Sequence, residues 1–301
     1  MATLEELSRH IEVAGDLQSV VRTMKTISAV AIRRYEVAEQ ALARYLETVR
    51  LGARCSVRLR EGAARAAPAP EGGRWAVIVV GSGMCRCGAF NGRLGSCARE
   101  RLAAGGVAPD QRLVLTIGAR ADASWRAEAE APAGHEDTPA TVEALSRTVG
   151  AVLTRLDRWR QEEDAERLVL FHHRPTKTGD TLPVRASLLP LDPDWLASLR
   201  ARTWSSRRLP APIGEPEELF RRLVRQLLFA RVSTAIIQSQ TAEHAERLAA
   251  MQAADSSIAE KLDDLQMEHR RVRQDVITSE LLDIVSGYEA ITGDTGDGAV
   301  S

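Results

Sequence analysis

A chain of 301 residues, 44% of them hydrophobic, has room for one or two domains and enough apolar material for a real core. Its 40 basic and 41 acidic residues leave a formal net charge of −1, so no global field favours nucleic acid or an anionic membrane surface. No apolar run approaches the ~18 residues of a membrane span. The acid-bearing start, Met1 to Val13, has neither the apolar region of a secretory signal nor the acid-poor, Arg/Ser-rich character of a transit peptide. The expectation is a soluble or peripheral cytoplasmic protein without direct membrane insertion.

Residues 1–58 read as one N-terminal helix. Leu4, Leu7, Ile11, Leu17, Val21, Met24, Ile27 (or Ser28), Ala31, Val37 (or Ala38), Ala41, Tyr45 and Val49 fall close to a 3.5–3.6-residue repeat. Where Ser28, Ala29 and Ala31 replace large side chains, a partner backbone can approach closely. Residues 59–73 are rich in Ala, Arg, Pro and Gly and read as a linker.

Residues 74–210 have a different texture. Trp75 to Val80 is a continuous apolar run, as in a strand buried on both faces. A helix is expected from Asn91 to Ala103, a second strand from Arg112 to Ile117 and a short helix over 119–127. A longer helix should run from Thr138, which precedes Pro139 at a first helical position, to Glu163. Strands at Arg167 to His172 and Val184 to Leu189 complete a doubly wound, Rossmann-like α/β layer.

Residues 211–291 form the strongest signal. Leu248, Met251, Asp255, Ile258, Leu262, Leu265, His269, Val272 and Val276 alternate +3 and +4, the heptad pattern of a helix laid lengthwise on another. Neither Gly nor Pro interrupts the run from Glu217 to Val285, although Pro would cost ~3 and Gly ~1 kcal/mol in a helix interior. At ~1.5 Å per residue such a helix is on the order of 100 Å long. It needs a partner, and the N-terminal helix is the candidate. The predicted fold is therefore a long antiparallel coiled coil of N- and C-terminal helices with an α/β domain inserted between them, and residues 292–301 form a flexible tail.

The middle domain offers little chemistry. Gly81-Ser82-Gly83-Met84-Cys85-Arg86-Cys87-Gly88 lacks the Lys-Ser/Thr of a phosphate loop, and Arg86 stands where a dinucleotide fingerprint needs its third Gly. No acid closes the second strand. Cys85-x-Cys87 with Cys97 and Cys55 has the wrong spacing for zinc, so the cysteines read as small buried hydrophobes and no metal is expected. His172 and His173 lack a matching carboxylate cluster, and Ser82 lacks the nucleophile-elbow context. No catalytic residue and no cofactor are assigned.

The run Arg273-Gln274-Asp275-Val276-Ile277-Thr278-Ser279-Glu280-Leu281-Leu282-Asp283-Ile284-Val285-Ser286-Gly287 resembles the R-Q-x-x-I-T-x-E-[LI]-x-[ED]-I-V-x-G motif of the gamma subunits of F-type ATP synthases. Ala242-Glu243-His244 to Arg247-Leu248 and Met251 resembles that family's S/T-E-x-x-x-R-M-x-A-M, Cys87 to Asn91 its C-G-x-[LF]-N, and Ser19-Val20 to Thr23-Met24-Lys25 its S-V-x-x-T-x-K. Val30 stands where the family usually has Met, Ser256-Ser257-Ile258 replaces R-N-A, and Gly83 to Arg86 replaces D-x-G-L, the marks of a divergent branch. The resemblance implies a non-catalytic rotor shaft. Its helices would thread a hexameric ring of alpha and beta subunits, with its α/β domain on the membrane ion-carrying c-ring beside epsilon, at the cytoplasmic face of a bacterial inner membrane. It further implies that Arg273 and Gln274 grip a loop of a catalytic subunit. Lys25, Val30 and Arg33 on the first helix, and Glu243, Arg247 and Met251 on the last, would be further contacts. Leu281, Leu282, Ile284, Val285 and Ile291 would make an apolar tip. A free coiled-coil tether with an α/β head, and a Rossmann-like nucleotide-binding enzyme, are the competing readings.

Overall fold

The computed structural model describes residues 3–59, 73–84, 89–176, 180–201 and 213–293. The expected linker therefore lies almost wholly, and the expected tail largely, outside the described residues. Among the described residues, eleven α-helices and β-strands follow one another: α1 (Leu4–Leu59), β1 (Trp75–Val80), α2 (Phe90–Ala104), β2 (Arg112–Ile117), α3 (Ala119–Glu128), β3 (Gly134–Glu136), α4 (Leu145–Glu162), β4 (Arg167–Pro175), β5 (Thr181–Leu189), α5 (Pro193–Ala201) and α6 (Pro216–Gly293). The chain divides into two units, Ser28–Arg247 and the pair Met1–Ile27 with Leu248–Ser301.

In the Ser28–Arg247 unit the strands form one sheet in the order β3-β2-β1-β4-β5. β3, β2, β1 and β4 are parallel, and β5 returns antiparallel to β4. Side chains alternate between the two faces with the period of two that a pleated strand imposes. Val77, Val79, Val114, Val169 and Phe171 point to a face covered by Leu94, Ala98 and Leu102 of α2 and Trp125 of α3. Ala76, Ile78, Val80, Leu115, Ile117 and Leu170 point to the other. There α4 contributes Val149, Val152, Leu156 and Trp159, and the rest of the cover comes from Val232, Ala235, Ile236 and Ile237 of α6 with Tyr35 of α1. The long helices are thus part of the α/β core, which the expectation of a separately inserted domain did not include.

Three local readings change. α4 starts at Leu145, because residues 138–144 make irregular turns after β3 in spite of the Thr138-Pro139 signal. β3 went unread, being three residues with no large apolar side chain, Gly134-His135-Glu136. α5 is short; Asp192 caps it by accepting the backbone N–H of Asp194 at 2.9 Å.

In the other unit, α1 and α6 run antiparallel: Ser8 Oγ meets His269 Nε2 at 3.2 Å, and Lys25 Nζ donates to Asp255 Oδ2 at 2.6 Å. On α6 the sheltered positions are those of the predicted seam from Leu248 to Val272. Val276 is exposed, because α6 there extends past the level of Leu4 and has no partner left; from Arg273 to Tyr288 every side chain is exposed.

On α1 the seam is displaced by one residue from the predicted one in the middle of the helix. The sheltered positions are Leu4, Leu7, Ile11, Ala14, Gln18, Val21 and Lys25, an unbroken +3/+4 series. Leu17 and Met24, predicted to lie in it, are 54% and 44% exposed, and of the alternatives Ile27 and Ser28 it is Ser28 that is buried. The same displacement recurs in the other unit, where Ala41 and Tyr45 are exposed and Leu42 and Leu46 are sheltered; of the alternatives Val37 and Ala38 it is Ala38 that is sheltered. The pairing places polar or small residues inside and leaves their large apolar neighbours outside.

Truncating Leu7, which is 2% exposed, removes buried packing, whereas Leu17 makes little. Leu7→Ala should therefore lower stability by about 2–4 kcal/mol in urea unfolding of the full chain, and Leu17→Ala by no more than about 0.5 kcal/mol. Equal losses would contradict the displaced seam.

Candidate functional site

In an open α/β sheet, ligands enter the crevice beyond the carboxyl ends of the strands where the winding changes direction. Here that point lies between β1 and β4, whose last paired residues are Val80 and His172. α6 occupies it. The Ser239 hydroxyl donates to the Val80 carbonyl at 2.7 Å in a fully buried contact. One residue earlier, Gln238 accepts from His172 Nε2 at 2.9 Å and donates its own amide to Glu39 of α1 at 2.6 Å. Ser239, Gln240, Thr241 and Glu243 are all buried although all are polar, so this stretch of α6 is enclosed all round.

Gly81 and Ser82, directly after β1, are equally enclosed. A Cβ on Gly81 would come within 2.5 Å of Asn91 Oδ1 and 2.6 Å of Ala121 Cβ. Asn91 binds both ends of Ser82, accepting from its backbone N–H at 3.0 Å and donating to its hydroxyl at 2.9 Å. The Ser82 carbonyl takes the N–H groups of Arg120 and Ala121 at the start of α3. This satisfies two of the N–H groups that the first turn of a helix leaves without an intrahelical partner. Gly118 reaches φ 106° to pass the Ser82 carbonyl, which a Cβ there would meet at 2.5 Å. Residues 85–88, with Cys85 and Cys87, lie outside the described residues. Cys55 is buried and Cys97 half-buried. Among the described residues, no group of His, Cys, Asp or Glu is placed to hold a metal ion.

A second polar layer follows along α6. Arg247 donates to Glu243 Oε1 at 2.6 Å and to His244 Nδ1 at 2.9 Å, and the His244 ring stacks on Tyr35 of α1 with centroids 5.8 Å apart. Burial, reinforced by the Glu243 charge, raises the Tyr35 pKa above the usual phenol value. Burial, helped by the Arg247 charge, pushes that of His244 down to about 4. Glu246 accepts from Arg93 of α2 and from Thr181 of β5. His172 and His173 are also pushed down to about 4, chiefly by burial. Both present Nε2–H to an acceptor, Gln238 and the Phe90 carbonyl, which leaves each Nδ1 buried with no partner among the described residues. A second proton there would be an unpaired buried charge. His172 thus ties α6 to β4, and His173 ties the start of α2 to β4.

The residues singled out in the sequence do not gather into one place. Arg273 and Gln274 are exposed on the unpaired part of α6. Val30 is exposed, and Arg33 makes an exposed ion pair with Glu36 at 3.2 Å. Lys25 is half-buried on Asp255, whose carboxyl it holds below the usual range. Met251 lies half-buried in the seam, Glu243 is buried, and Arg247 is spent on Glu243 and His244. Gln238, Ser239, Glu246 and Tyr35 were missed, since nothing in the sequence near them marks a contact with a distant element. Among the described residues, no helix is long and apolar enough to cross a membrane.

Comparison with known proteins gives one consistent answer. The family model described as ATP synthase matches residues 3–291. The ATP synthase gamma chain of Rubrobacter xylanophilus is 28% identical over 301 residues, covering 97% of this chain and 99% of that one. The ATP synthase gamma chain of Geotalea uraniireducens is 25% identical over 300 residues, covering 97% and 100%. Among solved structures, a chain of the Euglena gracilis mitochondrial ATP synthase, in its OSCP/F1/c-ring assembly, aligns with a TM-score of 0.61. It is 15% identical and covers 98% of this chain and 97% of that one. A chain of the central stalk and c-ring of the Tetrahymena thermophila mitochondrial ATP synthase aligns with a TM-score of 0.54 at 16% identity, covering 78% and 99%. These two likenesses concern the fold.

The three buried histidines carry a pH signature. Each folded pKa of about 4 lies below the unfolded value near 6.5, so the unfolded chain binds more protons between those limits. Stability is full above about pH 6.5, falls as the pH drops towards about 4, and receives no further loss from these groups below that. His172→Gln should flatten this fall when urea midpoints are followed across the same pH range. An unchanged slope would contradict the assignment.

Proposed function

The chain belongs to the ATP synthase family, and we propose that it serves there as the central rotor shaft, coupling ion flow through the membrane ring to ATP synthesis and hydrolysis in the surrounding head. The observation that carries this reading is the family match across residues 3–291, which spans the paired helices and the α/β domain alike. A shaft needs a helical pair with a continuous seam, a head tied firmly to it, and no chemistry of its own. The heptad pairing from Leu4 to Lys25 against Leu248 to Val272 supplies the first. The α6 contacts on β1 and β4 supply the second.

Against the rival enzyme stands the crevice at the strand ends, which α6 occupies. The rival tether has no observation in its favour. In this reading the chain is a non-catalytic subunit. Its partners are the alpha and beta subunits of the head, the c-ring and epsilon, and it sits peripherally at the cytoplasmic face of a bacterial inner membrane. Arg273 and Gln274, with Val30 and Arg33, are the side chains that reach the ring, because they are exposed on the two helices. Arg273 brings five fixed donors suited to carboxylates and carbonyls of a passing loop. Lys25, Glu243, Arg247 and Met251 serve that contact from within, by holding the helices that present it. The exposed Leu281, Leu282, Ile284 and Val285 form an apolar end for a bearing surface.

Coexpression with the ring subunits and affinity capture should recover one copy per ring, with ATPase activity that depends on α6. Recovery of the chain alone, or only with itself, would overturn the reading. Replacing Arg273 and Gln274 together by alanine should leave the urea midpoint unchanged and lower coupled ATPase turnover about tenfold, or ~1.4 kcal/mol. Unchanged turnover in an assembled complex would remove these two residues from the contact.

A further inference from the structure

We propose that Glu246, gripped by Arg93 and Thr181, is a positioning residue that stops α6 from rolling in the Ser28–Arg247 unit and so passes torque between α6 and the α/β domain. The torque role rests on the shaft reading above; the grip itself does not. Ser239 to Glu243 are buried, His244 to Leu248 half-buried, and Ala249 and Ala250 exposed. Glu246 therefore lies in the last sheltered turn of α6 within this unit. One carboxylate oxygen, Glu246 Oε1, accepts both from Arg93 Nη2 of α2 and from the Thr181 hydroxyl at the start of β5. The same Arg93 nitrogen donates to Thr181 Oγ1 at 3.3 Å, which closes a triangle of three elements.

The base of this grip is itself held. One turn before Arg93, the Phe90 carbonyl lies 2.9 Å from His173 Nε2 of β4, and the two rings stack with centroids 3.8 Å apart. On its opposite side α6 is held by another element, because His244 stacks on Tyr35 of α1. Side chains two residues apart on a helix point about 200° apart round its axis. A helix held on opposite sides by different elements cannot roll without breaking one of the contacts. The Arg93 side chain is 48% and that of Glu246 22% exposed, so their ion pair adds little to stability; what it fixes is the angle of α6. Glu246 falls at an unspecified position of S/T-E-x-x-x-R-M-x-A-M, and Arg93 beyond C-G-x-[LF]-N, so the resemblance assigns a role to neither.

The grip is tested in the full chain with its own cysteines replaced. Spin labels at Asp194→Cys and Ala249→Cys, both exposed positions, report the spread of distances by double electron–electron resonance. Glu246→Ala and Arg93→Ala should each broaden that spread roughly twofold, and the double variant no further, because the two residues form one contact. Urea midpoints should stay at the parent value. An unchanged spread, or broadening only alongside a lowered midpoint, would overturn the grip. The torque role is tested in the assembled complex, stalled without nucleotide, with a probe on Asp194→Cys. Glu246→Ala should widen the probe's angular fluctuation relative to the ring while unloaded ATPase turnover stays equal. Equal widths would remove the torque role and leave the shaft reading standing. A parent probe not confined to fixed angles would overturn the shaft reading, and the torque role with it.

Discussion

The Ser239 hydroxyl on the Val80 carbonyl marks the contact on which the other features depend. A parallel sheet must be covered on both faces, because its strands are apolar on both. α2 and α3 cover one side, but α4 alone does not complete the other. The missing cover is the stretch of α6 around Val232 to Ile237, continued by polar residues that reach the strand ends. Once α6 lies across β1 and β4, the crevice that gives this class of sheet its ligand site is closed, and the sheet becomes a mount for a helix. The depressed pKa of His172 follows from the same enclosure.

The pairing of α1 with α6 in the other unit obeys a different economy. Its seam holds Gln18 and Lys25 as well as leucines, and its one strong cross-pair is the ion pair of Lys25 with Asp255, to which Arg22 adds a second cation at 3.5 Å. Exposed and half-exposed pairs of this kind add little stability, but they fix register. The apolar residues beside the seam, from Val13 through Leu17, Val20, Met24 and Ile27, remain exposed in the isolated chain. Such a surface suits a helix pair that works inside a sleeve of other subunits, as the proposed shaft requires.

Much of this was legible in the sequence, for physical reasons that differ from element to element. β1 was read to the residue because a continuous apolar run of six, ended by glycine, admits little else, and β2 because Leu113, Val114, Leu115 and Ile117 stop in the same way at Gly118. The α6 seam was legible because it alternates +3 and +4 without interruption. The α1 seam was misplaced because hydrophobicity was taken as the guide: Leu17 and Met24 are larger and more apolar than Gln18 and Lys25, yet only the latter continue the +3/+4 series from Leu7 and Ile11. The Ser239 contact was illegible because nothing local distinguishes a serine that caps a distant strand from one that faces water. Arg273 and Gln274 were found by resemblance alone; their position on an unpartnered helix carries no signal of its own in composition or period.

The central claim is mechanical, and a mechanical measurement tests it most directly. The ring subunits would be fixed to a surface, the chain's own cysteines replaced, and a probe attached through Asp194→Cys, which lies exposed at the start of α5. On addition of ATP the probe should turn in one direction relative to the ring, in discrete steps and for many revolutions. A probe that stays fixed while the same complexes hydrolyse ATP would contradict the shaft.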